Sequence, residues 1–252
     1  MSVLSAETVS LAFGGVQALV DVSVEARAGE IVGVIGPNGA GKTTLLNVIS
    51  GMQRPDRGTV CLGDVPITGL RPSAIAALGV GRTFQSSQLF AGLTVLENVM
   101  TGLHLRGQTG LFQAALRTRA MRNEERNVAE AAHDALRYVG MEAFATRPGA
   151  ALSFGQQRIV EIARALISKP KIVLLDEPAV GLSVNRVVEL ERLLRRVRDE
   201  QGVTFVLIEH VIRLVMGVCD RVVVLNSGRK IADGTPAAIR GNAAVIEAYL
   251  GK

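Results

Sequence analysis

A chain of 252 residues, 48% of them apolar, is long enough to bury one large α/β core. Trp is absent and aromatics are only 4%, so Ala, Val, Leu and Ile must fill that core, which suits helices packed on a parallel sheet. The net charge of +5 comes from cations spread along the chain and reads as solvated helix faces, so no nucleic-acid partner is expected.

Other classes are excluded as directly. Cys61 and Cys219 lie far apart with no zinc spacing around them. They read as buried small hydrophobes in a reducing compartment. Glu7 interrupts the N-terminus before any apolar run, against a secretory signal. No stretch approaches the ~18 uncharged apolar residues of a membrane helix, so a soluble protein is expected.

In chain order, residues 2–35 read as strands. Val20, Val22 and Val24 alternate with Asp21, Ser23 and Glu25, the period of a half-buried strand. Ile31-Val32-Gly33-Val34-Ile35 is a fully apolar strand after a turn at Ala28-Gly29-Glu30. The Gly-rich loop 36–41 leads into a helix from Lys42 to about Ser50, with Gly51 suited to its end. Residues 53–75 carry turn signals and read as a second β-rich stretch. From about 92 to 168 the pattern is helical, including a charged helix over 117–138. Strands over 171–175, 204–208 and 221–225 and a helix over 187–198 complete an alternation that predicts a mainly parallel sheet.

The strongest motif is Gly36-Pro37-Asn38-Gly39-Ala40-Gly41-Lys42-Thr43, which fits G-x-x-x-x-G-K-[ST] between a strand and a helix. Glycines let the backbone turn its N–H groups inward, and the helix start adds partial positive charge where phosphates sit. This pattern assigns Lys42 to the β- and γ-phosphates and the Thr43 hydroxyl to Mg²⁺, with Thr44 beside it. A second element, Ile172-Val173-Leu174-Leu175-Asp176-Glu177, is an apolar strand ending in two acids, where open α/β sheets bind ligands. Asp176 is expected to hold Mg²⁺ through water, and Glu177 to polarise the attacking water.

Many NTPases share those two motifs. Leu152-Ser153-Phe154-Gly155-Gln156-Gln157-Arg158 discriminates among them, because it resembles the signature of ABC ATPases, a Leu-Ser-x-Gly-Gln that opens a helix. Ile159, Ile162, Ala163, Leu166 and Ile167 then keep a helical apolar period. Ser153 also suits an ordinary N-cap. The resemblance extends in order to Gln85, similar to the family's Mg²⁺-sensing Q-loop glutamine, to His210, similar to the switch histidine, and to Phe13, similar to the adenine-stacking aromatic. Ser183 stands where relatives carry Asp or Asn, and Val211 where many carry Asp.

The resemblance implies a P-loop NTPase (RecA-like) core with a mainly parallel sheet, an antiparallel β subdomain and an α-helical subdomain over about 86–165, in one domain of 252 residues. It implies ATP and Mg²⁺ as ligands. It implies a head-to-tail pair, homodimer or heterodimer, in which Ser153, Gly155 and Gln156 of one subunit meet the ATP held on the other. It also implies membrane permease subunits, an external substrate-binding protein and a peripheral place on the cytoplasmic side of the cell membrane. Phe13-Gly14-Gly15-Val16-Gln17-Ala18-Leu19, Arg82-Thr83-Phe84-Gln85 and Glu247-Ala248-Tyr249-Leu250-Gly251 resemble the branched-chain amino acid uptake ATPases. Urea or amide uptake, lipopolysaccharide export and a non-transport ABC ATPase stay open as alternatives.

Overall fold

The computed structural model describes residues 2–84, 89–106 and 119–250. They fall into two compact units, Met1–Gln85 with Lys171–Lys252, and Ser86–Pro170.

The first unit holds two sheets. One is antiparallel, in the order β2-β1-β4-β5, from β1 (Ser2–Phe13), β2 (Val16–Arg27), β4 (Arg57–Leu62) and β5 (Val65–Pro66). The alternation in β2 holds for Val22, Val24 and Ala26, which are buried. It fails at Val20, which is only half-buried, because Asp21 takes φ 50° and the register slips between Val9↔Val22 and Leu11↔Leu19. Leu19 goes into the core instead.

The other sheet runs β10-β9-β3-β8-β7-β6. Its strands β3 (Ile31–Ile35), β6 (Val80–Arg82), β7 (Ile172–Asp176), β8 (Thr204–Ile208) and β9 (Arg221–Asn226) pair in parallel. Among the described residues only β10 (Arg229–Gly234) runs antiparallel in this sheet, on β9. All five residues are buried in each of β3, β7 and β8, as a sheet covered on both faces requires. One apolar core gathers Leu19 and Val22 of the first sheet, Val32, Val206 and Val223 of the second, and Leu45, Leu46 and Ile49 of α1 (Lys42–Ile49).

The β-rich reading of 53–75 is corrected at its end. Residues 72–77 form α2 (Pro72–Ala77), with Pro72 at the first helical position, where its missing N–H costs nothing. The helix expected over 187–198 is longer, α6 (Val184–Gln201), started by Ser183 and ended by Gly202 in the left-handed region. Strand β10 and the helices α7 (Ile212–Val218), α8 (Pro236–Arg240) and α9 (Ala243–Leu250) were not legible. Cys219 is buried as expected, whereas Cys61 on β4 is only half-buried.

The second unit is helical: α3 (Val95–Met100), α4 (Arg119–Tyr138) and α5 (Phe154–Leu166), with 3-10 turns at Thr101–Arg106, Glu142–Phe144 and Gly149–Ala151. Val95, Val99, Ala132, Leu136, Val160 and Ala163 form its core. Asn98, fully buried, stitches the segment before α3: its Oδ1 accepts the Phe90 N–H at 2.7 Å and its Nδ2 donates to Phe90 O and Thr94 O at 3.1 and 2.9 Å. Among the described residues no helix is long and apolar enough to cross a membrane.

Candidate nucleotide site

The Gly-rich loop joins β3, in the middle of the parallel sheet, to α1. Two of its glycines are obligatory on the geometry. Gly36 has φ 151°, and a Cβ there would lie 2.0 Å from Leu225 O; Gly41 has φ 98°, and a Cβ would lie 2.5 Å from Ala18 O. Gly41 is also the N-cap of α1, so the helix's first N–H groups and its positive end face the loop. Pro37 is half-buried, Asn38 and Gly39 are exposed, and Ala40 is packed in the core at 2% exposure. Thr43 is exposed on the first turn and Thr44 half-buried after it.

Lys42 is the buried cation of this loop. Its Nζ donates to Gly36 O at 2.8 Å and to Pro37 O at 2.9 Å, which curls the lysine back under the loop. Burial pulls its pKa below the usual lysine value, and the charges of Glu177 and Asp176 oppose that. The acidic strand end therefore lies within electrostatic reach of the phosphate-loop lysine.

Asp176, 2% exposed, ends β7 and Glu177 follows it at φ 49°, an uncommon conformation for a non-glycine residue that turns its side chain off the strand line. The Glu177 carboxylate reaches His210, with Oε1 3.7 Å from Nδ1. His210 follows β8, the neighbour of β7, so two adjacent parallel strands deliver the pair to one edge. The His210 side chain is half exposed and Glu177 is largely covered.

Phe13 ends β1 and faces Val16 across the Gly14-Gly15 turn. Both are exposed, at 47% and 71%, so the hairpin tip offers an apolar surface. Gln85 lies outside the described residues. In the second unit, Ser153 caps α5 in a reciprocal box. The Gln156 N–H donates to Ser153 Oγ at 3.4 Å, and the Ser153 N–H donates to Gln156 Oε1 at 2.9 Å. Gly155 is half-buried on the first turn.

Three contributors were not singled out from sequence. Arg82, half-buried, lies 3.6 Å from Asp176 and donates to Asn47 Oδ1 on α1 at 2.7 Å and to Ser50 Oγ at the end of that helix. It thereby ties the phosphate-loop helix to the acidic strand end. Gly228, in the β9–β10 turn, backs the loop: its N–H donates to Ala40 O at 3.2 Å and its carbonyl accepts the Val20 N–H at 2.8 Å. Glu209 is fully buried just before His210. A charge placed after an unbroken apolar strand was the available signal for Glu209. Gly228 gave none, because its partners are distant in sequence.

Among the described residues no group of three His, Cys, Asp or Glu is arranged to hold a metal. Thr43 and Asp176 offer oxygen donors only, in a small number. That set fits Mg²⁺, which keeps waters and shares phosphate oxygens, better than a cation needing a full protein cage.

A protein-family model described as ABC transporter matches residues 19–180, and another described as Branched-chain amino acid ATP-binding cassette transporter matches residues 229–252. The chain is 43% identical to the high-affinity branched-chain amino acid transport ATP-binding protein LivG of Salmonella typhimurium, over 99% of this chain and 98% of that protein. It is 41% identical to the corresponding protein BraF of Pseudomonas aeruginosa, again over 99% and 98%. The fold superposes on the ADP conformation of MJ1267, an ATP-binding cassette of an ABC transporter, with TM-score 0.86 at 31% identity and full coverage of both chains. With the phosphate loop, the acidic strand end and the capped Ser153 helix in place, the chain belongs to the ABC transporter family as one of its ATP-binding, ATP-hydrolysing cassettes.

Proposed function

We propose that this cassette powers uptake of branched-chain or other hydrophobic amino acids through a separate membrane permease, which it serves from the cytoplasmic side in a system with an external binding protein. The near full-length identity to LivG and BraF supports that cargo over urea, amides or lipopolysaccharide. The cassette itself touches nucleotide and permease, not cargo.

The observation that carries the hydrolytic reading is the convergence on one loop of Lys42, the Asp176–Glu177 strand end and His210. Lys42 holds the β- and γ-phosphates and the N–H groups of residues 38–44 wrap them. Phe13 supplies a face for adenine. Glu177 orients the attacking water and takes its proton, and His210 contacts the γ-phosphate from the neighbouring strand. Thr43, Asp176 and Gln85 would hold Mg²⁺, which neutralises charge developing on the phosphate oxygens. Ser153, Gly155 and Gln156 complete the site on a second subunit, an identical copy or a related cassette, because a helix start favours an anion.

Glu177→Gln tests this. ATP turnover is expected to fall at least about 100-fold while nucleotide affinity is retained. Turnover within threefold of wild type removes Glu177 from the base role.

A further inference from the structure

The parallel ladder between β7 and β8 ends at Asp176↔Ile208, one residue short of the chemistry. The Glu177 N–H still donates to Ile208 O at 2.9 Å. The ladder does not go on from there: Glu177 leaves the extended conformation at φ 49°, and the next N–H groups that would continue it, those of His210 and Ala179, go to a side chain instead. Yet Glu177 and His210 both lie past this point, on segments that strand pairing no longer holds together.

The Glu209 side chain takes over. Its Oε1 accepts the Ala179 N–H at 2.6 Å, on the segment after Glu177. Its Oε2 accepts the His210 and Val211 N–H groups, each at 3.0 Å. The residue is 0% exposed. Three donors meet two oxygens of one buried group, and an ionised carboxylate accepts at every one of these positions while offering no donor of its own. Burial alone raises the Glu209 pKa, and the three N–H groups oppose that by favouring the charged form. The carboxylate also serves the start of α7, where Val211 occupies the N-cap without a side chain able to cap.

We propose that Glu209 is a positioning residue for ATP hydrolysis: one buried carboxylate clamps the segment after Glu177 to the segment carrying His210 and so fixes their separation. The inference rests on the roles given to Glu177 and His210 above. It adds that their alignment depends on a side chain that never touches nucleotide. Lys42 and the glycine loop are held by other bonds, to Gly36 O and Pro37 O and through Gly228, so phosphate binding is independent of the clamp.

The test uses the full chain and four variants: E209Q, E209D, H210A and the double variant E209Q/H210A. A glutamine of the same shape must turn an NH₂ group against N–H donors and lose one end of the clamp. E209Q is expected to lower kcat about 10- to 100-fold, the size of effect that follows a small misplacement of reacting groups. Its affinity for a fluorescent ATP analogue is expected to stay within about threefold, and its melting temperature is followed in parallel. E209D keeps the charge on a shorter arm and should fall between wild type and E209Q. If the clamp acts by placing His210, the double variant is no slower than the worse single variant by more than about threefold, because coupled losses do not add. Wild-type turnover in E209Q, a parallel loss of nucleotide affinity and stability, or fully multiplicative losses in the double variant overturn the proposal. If E209Q does not fold, the order of wild type over E209D in kcat at equal nucleotide affinity decides it alone. E177Q separates the two readings: an active E177Q overturns the site assignment, whereas an inactive E177Q beside a fully active E209Q overturns only the clamp.

Discussion

Lys42 shows how one side chain is set up for the phosphates it is proposed to hold. Its ammonium is bonded to two loop carbonyls, partly desolvated, and set in the field of two carboxylates. Replacing it removes a charge-assisted contact to phosphate of about 1.5–3 kcal/mol, so Lys42→Ala should weaken ATP binding roughly 10- to 150-fold in a calorimetric titration. Unchanged affinity would contradict the loop assignment. Residues of this kind were legible because their chemistry is local: a loop lysine six residues after a glycine, or two acids after four apolar residues, announces itself. Arg82 and Glu209 were harder. Each is a single charge in a sequence of 252, and its value comes from partners far along the chain: Asp176 and α1 for one, Ala179 for the other.

At the level of elements, the structure repeats one device, the reciprocal cap, at the start of α3 and of α5. In α3 the Glu97 carboxylate accepts from the Thr94 N–H at 2.7 Å and from its hydroxyl at 2.8 Å. Those bonds, the backbone one foremost, hold its pKa below the ordinary glutamate value. The sign follows. A carboxyl depressed in the folded state adds stability above its unfolded pKa, and that contribution is lost as pH falls through the folded value. Wild type should therefore melt higher than Glu97→Gln at neutral pH, and the gap should close as pH falls through the lowered value of the folded carboxyl. A constant gap across that range would mean the charge is irrelevant to the cap. Element boundaries were read from sequence where a breaker or cap marks them, as at Gly51 and Ser153. They were missed where the mark is positional. Pro72 starts a helix in a stretch otherwise rich in turn signals, and Asp21 shifts a strand's phase without any change in composition.

For the whole molecule, the proposed completion of the site by a second subunit makes pairing measurable. Ser153 contributes its hydroxyl to the cap of α5, so Ser153→Ala costs about 1 kcal/mol of local stability by itself. Beyond that cost, in a Glu177→Gln background, the Ser153 variant should bind ATP at normal affinity and stay monomeric by light scattering where Glu177→Gln alone dimerises. ATP-driven dimerisation of the Ser153 variant would remove it from the second-subunit role. By itself the sequence determined the fold class, the phosphate loop, the acidic strand end and the signature helix, because each is a contiguous run whose residue types and spacing follow from local backbone geometry. Only the tertiary structure decided that Gly228 braces the loop, that Arg82 links α1 to Asp176 and that Glu209 bridges two strand ends. Parallel strands adjacent in a sheet are separated in sequence by whole crossover connections, so their side-chain partners carry no mark in the chain until it is folded.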